Sequence, residues 1–151
     1  METPLENQFY MPPEWYPHEC CWMQWPTETF PSDVTSSWSH FDLDKGRIAW
    51  ANVANTISQF ETLKMIVHPD DQESAKNLLN HNVEIIELPI NDAWCRDTGA
   101  IFLLNDKNEL GGVDSDFNCW GYKENFELDD KVARFMIEKT KAKYFKNNMV
   151  L

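Results

Sequence analysis

Residues 62–88 hold the pattern that most narrows what this chain can fold into. "TLKMIVH" (62–68) is a short apolar run bounded by polar residues, and it reads as a strand. Pro69 then opens a helix that lasts to about Leu79. Asp70 and Asp71 stand in its first turn, where unpaired N–H groups favour negative charge. "VEIIEL" (83–88) is a second strand. Strand, helix and strand in so short a span define an α/β chain.

The alternation extends in both directions. "CCWMQW" (20–25) is apolar enough for a buried strand and stops at Pro26. From Asp44 to Phe60, residues at Ile48, Ala51, Ala54 or Asn55, Ile57 and Phe60 follow a helical period. Further on, "AIFLL" (100–104) and "LGGVD" (110–114) bracket "NDKNE" as a hairpin. "FNCWGYKENFE" is expected to be a loop. Residues 129–141 form an amphipathic helix with Val132, Phe135, Met136 and Lys139 in phase. Residues 1–19 read as an extended, Pro-punctuated lead-in, and residues 26–42 as a loop. The closing "MVL" reads as the start of a buried strand that stops without a polar cap, as in a truncation.

Composition narrows the function. The 151 residues suffice for one domain with a sizeable core, and 42% hydrophobic with 13% aromatic content is globular. A formal net charge of −12 and a pI near 4.6 disfavour nucleic-acid binding, which needs a basic footprint. The acidic field either attracts cationic ligands or simply maintains solubility. No stretch is long and apolar enough to span a bilayer. The acidic, Pro-rich beginning has neither a basic leader nor an apolar signal core, so a cytoplasmic location is expected. Cys20, Cys21, Cys95 and Cys119 form no CxxC pair and are expected to be reduced thiols.

The densest chemistry lies in "NDAWCRDTGA" (91–100), directly after the strand at 83–88. A guanidinium offers a planar fork of donors that carboxylates match, and a flat aromatic wall favours its charge. Asp92, Asp97 and Trp94 are the right types in the position where α/β proteins build ligand sites. The competing reading pairs Arg96 with a nearby Asp and pins the loop. Cys95 is a nucleophile candidate, although in an extended segment it and Arg96 point to opposite sides. His18, Cys20, Cys21 and His40 lack the four ligands at recurring separations of a structural zinc site, so they read as a loop histidine and packed thiols. His68 reads as a strand end and His81 as an exposed turn. Trp15, Trp22 and Trp120 read as packing residues.

"MPPEWYPHE", "WMQWP", "NDAWCRDTG", "GGVDSDFNCWG" and "NNMVL", in this order, resemble the agmatine deiminase family of the guanidino-group-modifying superfamily. The resemblance implies a pentein-type α/β propeller of repeated ββαβ units around a pseudo-fivefold axis. Residues 1–151 would then be the N-terminal portion of a single catalytic domain, truncated before the propeller closes. It also implies that agmatine and water give N-carbamoylputrescine and ammonia, a step of putrescine and polyamine biosynthesis. A cysteine thiolate attacks the guanidinium carbon, water hydrolyses the thioether-linked amidino intermediate, a histidine moves protons and carboxylates hold the cation. Neither metal nor organic cofactor is implied, and the intact enzyme would be a homo-oligomer.

Carried over residue by residue, Asp97 matches the guanidinium-binding aspartate, Trp94 the pocket edge, and Asp92 and Arg96 supporting positions. The chain departs from the family at Ala100, which replaces a proline, at "CCW", which replaces a small-residue lead, and at "WGY", which replaces a Gly-Gly pair. The family's catalytic acid, its histidine-x-aspartate pair and its nucleophilic cysteine have no counterpart here. None of the four cysteines or four histidines takes a catalytic place, and the chain is expected to be inactive alone. Peptidyl-arginine deiminase-type activity, a non-catalytic guanidine-binding remnant and a fragment that does not fold stably are the alternatives.

Overall fold

The computed structural model describes residues 2–27, 40–122 and 125–150. In chain order, a 3₁₀ turn at Leu5–Asn7 precedes β1 (Phe9–Tyr10) and β2 (Cys21–Gln24). Next come α1 (His40–Ile57), β3 (Leu63–Val67), a 3₁₀ turn at Pro69–Asp71, α2 (Gln72–Leu78) and β4 (Val83–Glu87). The one-turn helix α3 (Cys95–Thr98) leads to β5 (Ile101–Asn105), β6 (Leu110–Asp116) and the short segment α4 (Cys119–Tyr122). A 3₁₀ turn at Asp129–Lys131, α5 (Val132–Thr140) and β7 (Lys143–Val150) follow. Most of the loop expected at 26–42 lies outside the described residues, and α1 begins at His40, before the expected Asp44. The chain divides into two compact units, one continuous (His18–Cys95) and one of two segments (Met1–Pro17 with Arg96–Leu151).

The continuous unit is a parallel sheet in the order β2-β3-β4, with α1 and α2 as crossovers. Central β3 is flanked on both sides, so Leu63, Met65, Ile66 and Val67 are fully buried, as a parallel strand requires. Trp25, Ala51, Ala54, Ala75 and Val83 close the core around Leu63, Met65 and Val67. The indole of Trp25 donates to Ser74 Oγ at 3.0 Å, which satisfies its one polar atom. The buried stripe of α1 runs through Leu43, Ala51 and Ala54, with Trp50 and Ile57 partly buried. Of the residues read as a helical period, Ile48 is exposed, and Phe60 is 83% exposed because the helix has ended at Ile57. Arg47 and Thr27 both reach the carboxylate of Asp71, and Arg47 Nε donates to the Pro26 carbonyl at 3.0 Å. This ties α1 to the turn that starts α2.

The two-segment unit holds a four-stranded sheet in the order β1-β5-β6-β7. β5 and β6 form the expected antiparallel hairpin, and β7 returns through α5 to lie parallel to β6. That ββαβ order occurs in this unit, whereas the described residues of the continuous unit run βαβαβ in parallel. Both units are mixed α/β structure. Gly111 and Gly112 let neighbours close on β6: a Cβ on Gly112 would lie 2.5 Å from Ile137 Cγ1, and one on Gly111 would lie 2.8 Å from Phe9 Cδ1. The buried stripe of α5 is Val132, Ala133, Met136 and Ile137, whereas the expected Lys139 faces solvent. Met149 and Val150 are the last residues of β7 and their side chains are exposed, so these two do not begin a buried strand.

Candidate active-site segment

Strand β4 delivers the chain to a stretch that is buried although polar: Ile90, Asn91, Asp92 and Ala93 are all nearly inaccessible. Asp92 has both carboxylate oxygens engaged. Oδ1 accepts from the Ala93 N–H at 2.7 Å, and Oδ2 accepts from the Trp94 indole at 2.9 Å. Gln24, fully buried at the end of β2, donates from Nε2 to the Asp92 carbonyl at 2.8 Å. Trp94 packs edge-on against Trp50, with centroids 6.0 Å apart at 81°, and stays 37% exposed. The indole is therefore held at its N–H and against a second ring. The segment directly follows the carboxyl end of β4, where open α/β sheets place ligands.

The segment then enters α3, and the division between the units falls between Cys95 and Arg96. Cys95 is half-buried, its N–H bonded to the Ala93 carbonyl at 3.1 Å, and lies in a helical turn and not in an extended strand as expected. Within the two-segment unit, Arg96 reaches Glu14 at 3.3 Å with both side chains almost fully exposed. Such a surface pair contributes little, so Arg96 does not pin the loop through Asp92 or Asp97. Asp97 is half-buried, and among the described residues its carboxylate has no hydrogen-bond or ion-pair partner. A cleft of about 640 Å³ in the same unit, bordered by Glu2, Ile101, Phe145 and Lys146, contains none of the expected site residues.

Other expected residues are placed as follows. Trp15 is 87% exposed in a turn that the Tyr16 N–H closes onto the Pro13 carbonyl at 2.9 Å; packing is corrected for it. Trp120 is also exposed, edge-on to Phe117 at 5.4 Å in a turn with left-handed backbone. Trp22 is partly buried under Lys64, whose Nζ lies 5.2 Å from the ring centroid. His68 caps the 3₁₀ turn after β3, its Nδ1 accepting from the Asp70 N–H at 3.2 Å. The His40 side chain lies outside the described residues. His18 and Cys21 are not merely a loop histidine and a packed thiol. Both meet Glu61, at 2.5 Å from His18 Nε2 and 3.4 Å from Cys21 Sγ. Burial, then the hydrogen bond and charge of Glu61, push the Cys21 thiol up to about 11.

Two residues escaped sequence reasoning. Gln24 was readable in principle, since a lone amide in an apolar strand must find a buried partner. Glu61 was not, because some forty residues separate it from the histidine and thiol it meets.

Fold and segment together define an α/β protein with an indole fixed by a buried carboxylate just after its parallel sheet. Comparison with known proteins gives the class a family. The model of the Porphyromonas-type peptidyl-arginine deiminase family matches residues 10–151, and the chain belongs to that family. It is 47% identical over 151 residues to a Legionella pneumophila (strain Philadelphia 1) protein named "Putative agmatine deiminase", covering 99% of this chain and 42% of that protein. It is 35% identical over 156 residues to the agmatine deiminase of Pseudomonas aeruginosa (strain LESB58), covering 99% of this chain and 40% of the relative. Among solved structures it is similar to the agmatine deiminase of Enterococcus faecalis, with a TM-score of 0.87 and 31% identity over 98% of this chain and 40% of that one. The chain thus spans about two fifths of the length of these relatives. Among the described residues, no helix is long and apolar enough to cross a membrane.

Proposed function

We propose that this chain provides a guanidinium-binding wall of an agmatine deiminase-type hydrolase. The observation that carries this reading is Asp97, a half-buried carboxylate without a described partner, three residues after an indole that Asp92 holds in place. A planar guanidinium satisfies such a carboxylate by charge-assisted hydrogen bonds and gains from a neighbouring π-face. Asp97 binds the cation, Trp94 borders it, and Asp92 supports the segment, whereas the exposed Arg96 contributes little to holding it. In the complete reaction, agmatine and water give N-carbamoylputrescine and ammonia. A cysteine thiolate forms and then releases an amidino intermediate. Residues outside this chain perform those covalent steps, and no cysteine or histidine here is assigned to them.

The ββαβ order of the two-segment unit supports reading both units as parts of one catalytic domain of the α/β-propeller type. A second reading, action on peptidyl-arginine, is favoured by the description of the matching family.

Calorimetric titration of the 151-residue chain with agmatine, free arginine and an arginine-containing peptide tests both. Agmatine is expected to bind, and Asp97→Asn to weaken it by roughly 10- to 100-fold, the loss of a charged hydrogen-bond partner. A peptide that binds more tightly than agmatine selects the second reading. No heat with any guanidine, or an unchanged dissociation constant in Asp97→Asn, refutes the site.

A further inference from the structure

We propose that His18, Cys21 and Glu61 form a binding site for a thiophilic divalent metal ion, zinc(II) foremost. The site stands at the amino edge of the parallel sheet, the end opposite the Asp92–Trp94 segment, and does not depend on the guanidinium reading. Sheet pairing builds it. The Cys21 N–H bonds to the Thr62 carbonyl at 2.9 Å and Cys21 lies opposite Leu63, which brings the start of β2 beside Glu61. His18 precedes Cys21 by three residues and reaches the same spot. The three donor atoms lie within 4.8 Å of one another, the one such cluster of His, Cys and acidic groups among the described residues.

Donor types and spacing both fit zinc. A tetrahedral zinc with bonds of about 2.3 Å to sulfur and about 2.1 Å to nitrogen and oxygen sets sulfur about 3.6 Å from either, and nitrogen about 3.4 Å from oxygen. Here Cys21 Sγ stands 3.6 Å from His18 Nε2 and 3.4 Å from Glu61 Oε1. Only the contact of His18 Nε2 with Glu61 Oε2, at 2.5 Å, is too short, and it must open as the ion enters. His18 is 49% and Glu61 35% exposed, so both can turn without disturbing the core. A thiol and an imidazole exclude calcium and magnesium, which take oxygen ligands. Three ligands leave the fourth position to water. Binding expels the thiol proton to solvent and takes His18 as the tautomer with its one proton on Nδ1, so that the metal receives a thiolate, a neutral imidazole and a carboxylate.

The test uses the full 151-residue chain, stripped of metal, and cobalt(II) chloride as the probe. One cobalt per chain is expected, with a thiolate-to-metal charge-transfer band that zinc(II) displaces. His18→Ala and Glu61→Gln should each weaken binding by at least about tenfold, and Cys20→Ser should leave it unchanged, since Cys20 is not one of the three clustered donors. Zinc should also slow iodoacetamide alkylation of Cys21 in the unmodified chain, located by peptide mass spectrometry, a readout that needs no variant to fold. The proposal is overturned by the absence of a thiolate band. It is equally overturned by full alkylation of Cys21 in saturating zinc, or by metal binding that neither His18→Ala nor Glu61→Gln weakens.

Discussion

The Trp94 indole donates to Asp92 Oδ2 at 2.9 Å, and the other oxygen of the same carboxylate holds the Ala93 N–H. One buried acidic residue thus sets both the backbone and the ring direction of the candidate site. Replacing Asp92 by Ala strands two donors and should cost about 1–3 kcal/mol. The indole N–H cross-peak of Trp94 in a ¹H–¹⁵N spectrum should shift and exchange faster with solvent. An unmoved cross-peak would show that Trp50 alone holds the ring.

Asp71 accepts from both Arg47 and Thr27, and Arg47 and Asp71 are each largely buried. Asp71→Ala leaves the guanidinium without its charge partner and should lower stability by about 3 kcal/mol in urea denaturation. Adding Arg47→Met should restore part of that loss, because the uncompensated charge is gone. A double variant less stable than the single one would contradict this.

Gly112 faces Ile137 across the β6–α5 contact. An added Cβ would lie 2.5 Å from Cγ1, closer than real carbons approach. Gly112→Ala should therefore cost about 1–3 kcal/mol by overpacking. Combined with Ile137→Ala, it should cost less than the sum of the two single changes, measured by a double-mutant cycle.

Alkaline pH acts on the β6–β7 pair. Burial, then the hydrogen bond to Asp114 at 2.7 Å, raises the Tyr144 phenol above its ordinary 10.0. Burial alone would lower Lys146, but its bond to Asp116 and the charges of Asp114 and Asp116 outweigh it and raise the group above 10.5. Both groups hold protons more tightly when folded. Their contribution is complete below about pH 10 and is lost as pH rises through the folded values. The thermal midpoint should fall above pH 10, and less steeply in Tyr144→Phe. Equal slopes would remove Tyr144 from this role.

The elements were legible because their signals are local. β3, α2 and β4 follow from an apolar run, a Pro-led acidic turn and a second apolar run, and the β5–β6 hairpin from its turn residues. The phase of the helices was less so. Ile48 shares a helical period with Ala51 and Ala54, and only the sheet beneath α1 decides which side is buried.

For the candidate site, residue types in one segment named Asp92, Trp94, Arg96 and Asp97, and the residue sequence alone determined that chemistry. Which carboxylate is occupied and which is not was decided by tertiary structure. Asp92 is closed by Trp94 and Ala93, Arg96 turns out to Glu14, and Asp97 keeps its oxygens without a described partner. The same holds for His18, Cys21 and Glu61, which parallel pairing of β2 with β3 brings together. Local patterns specify strands and helices because propensity and periodicity act over a few residues. Convergence of distant side chains depends on which strands pair and in what register, and that is settled by burial of the whole core.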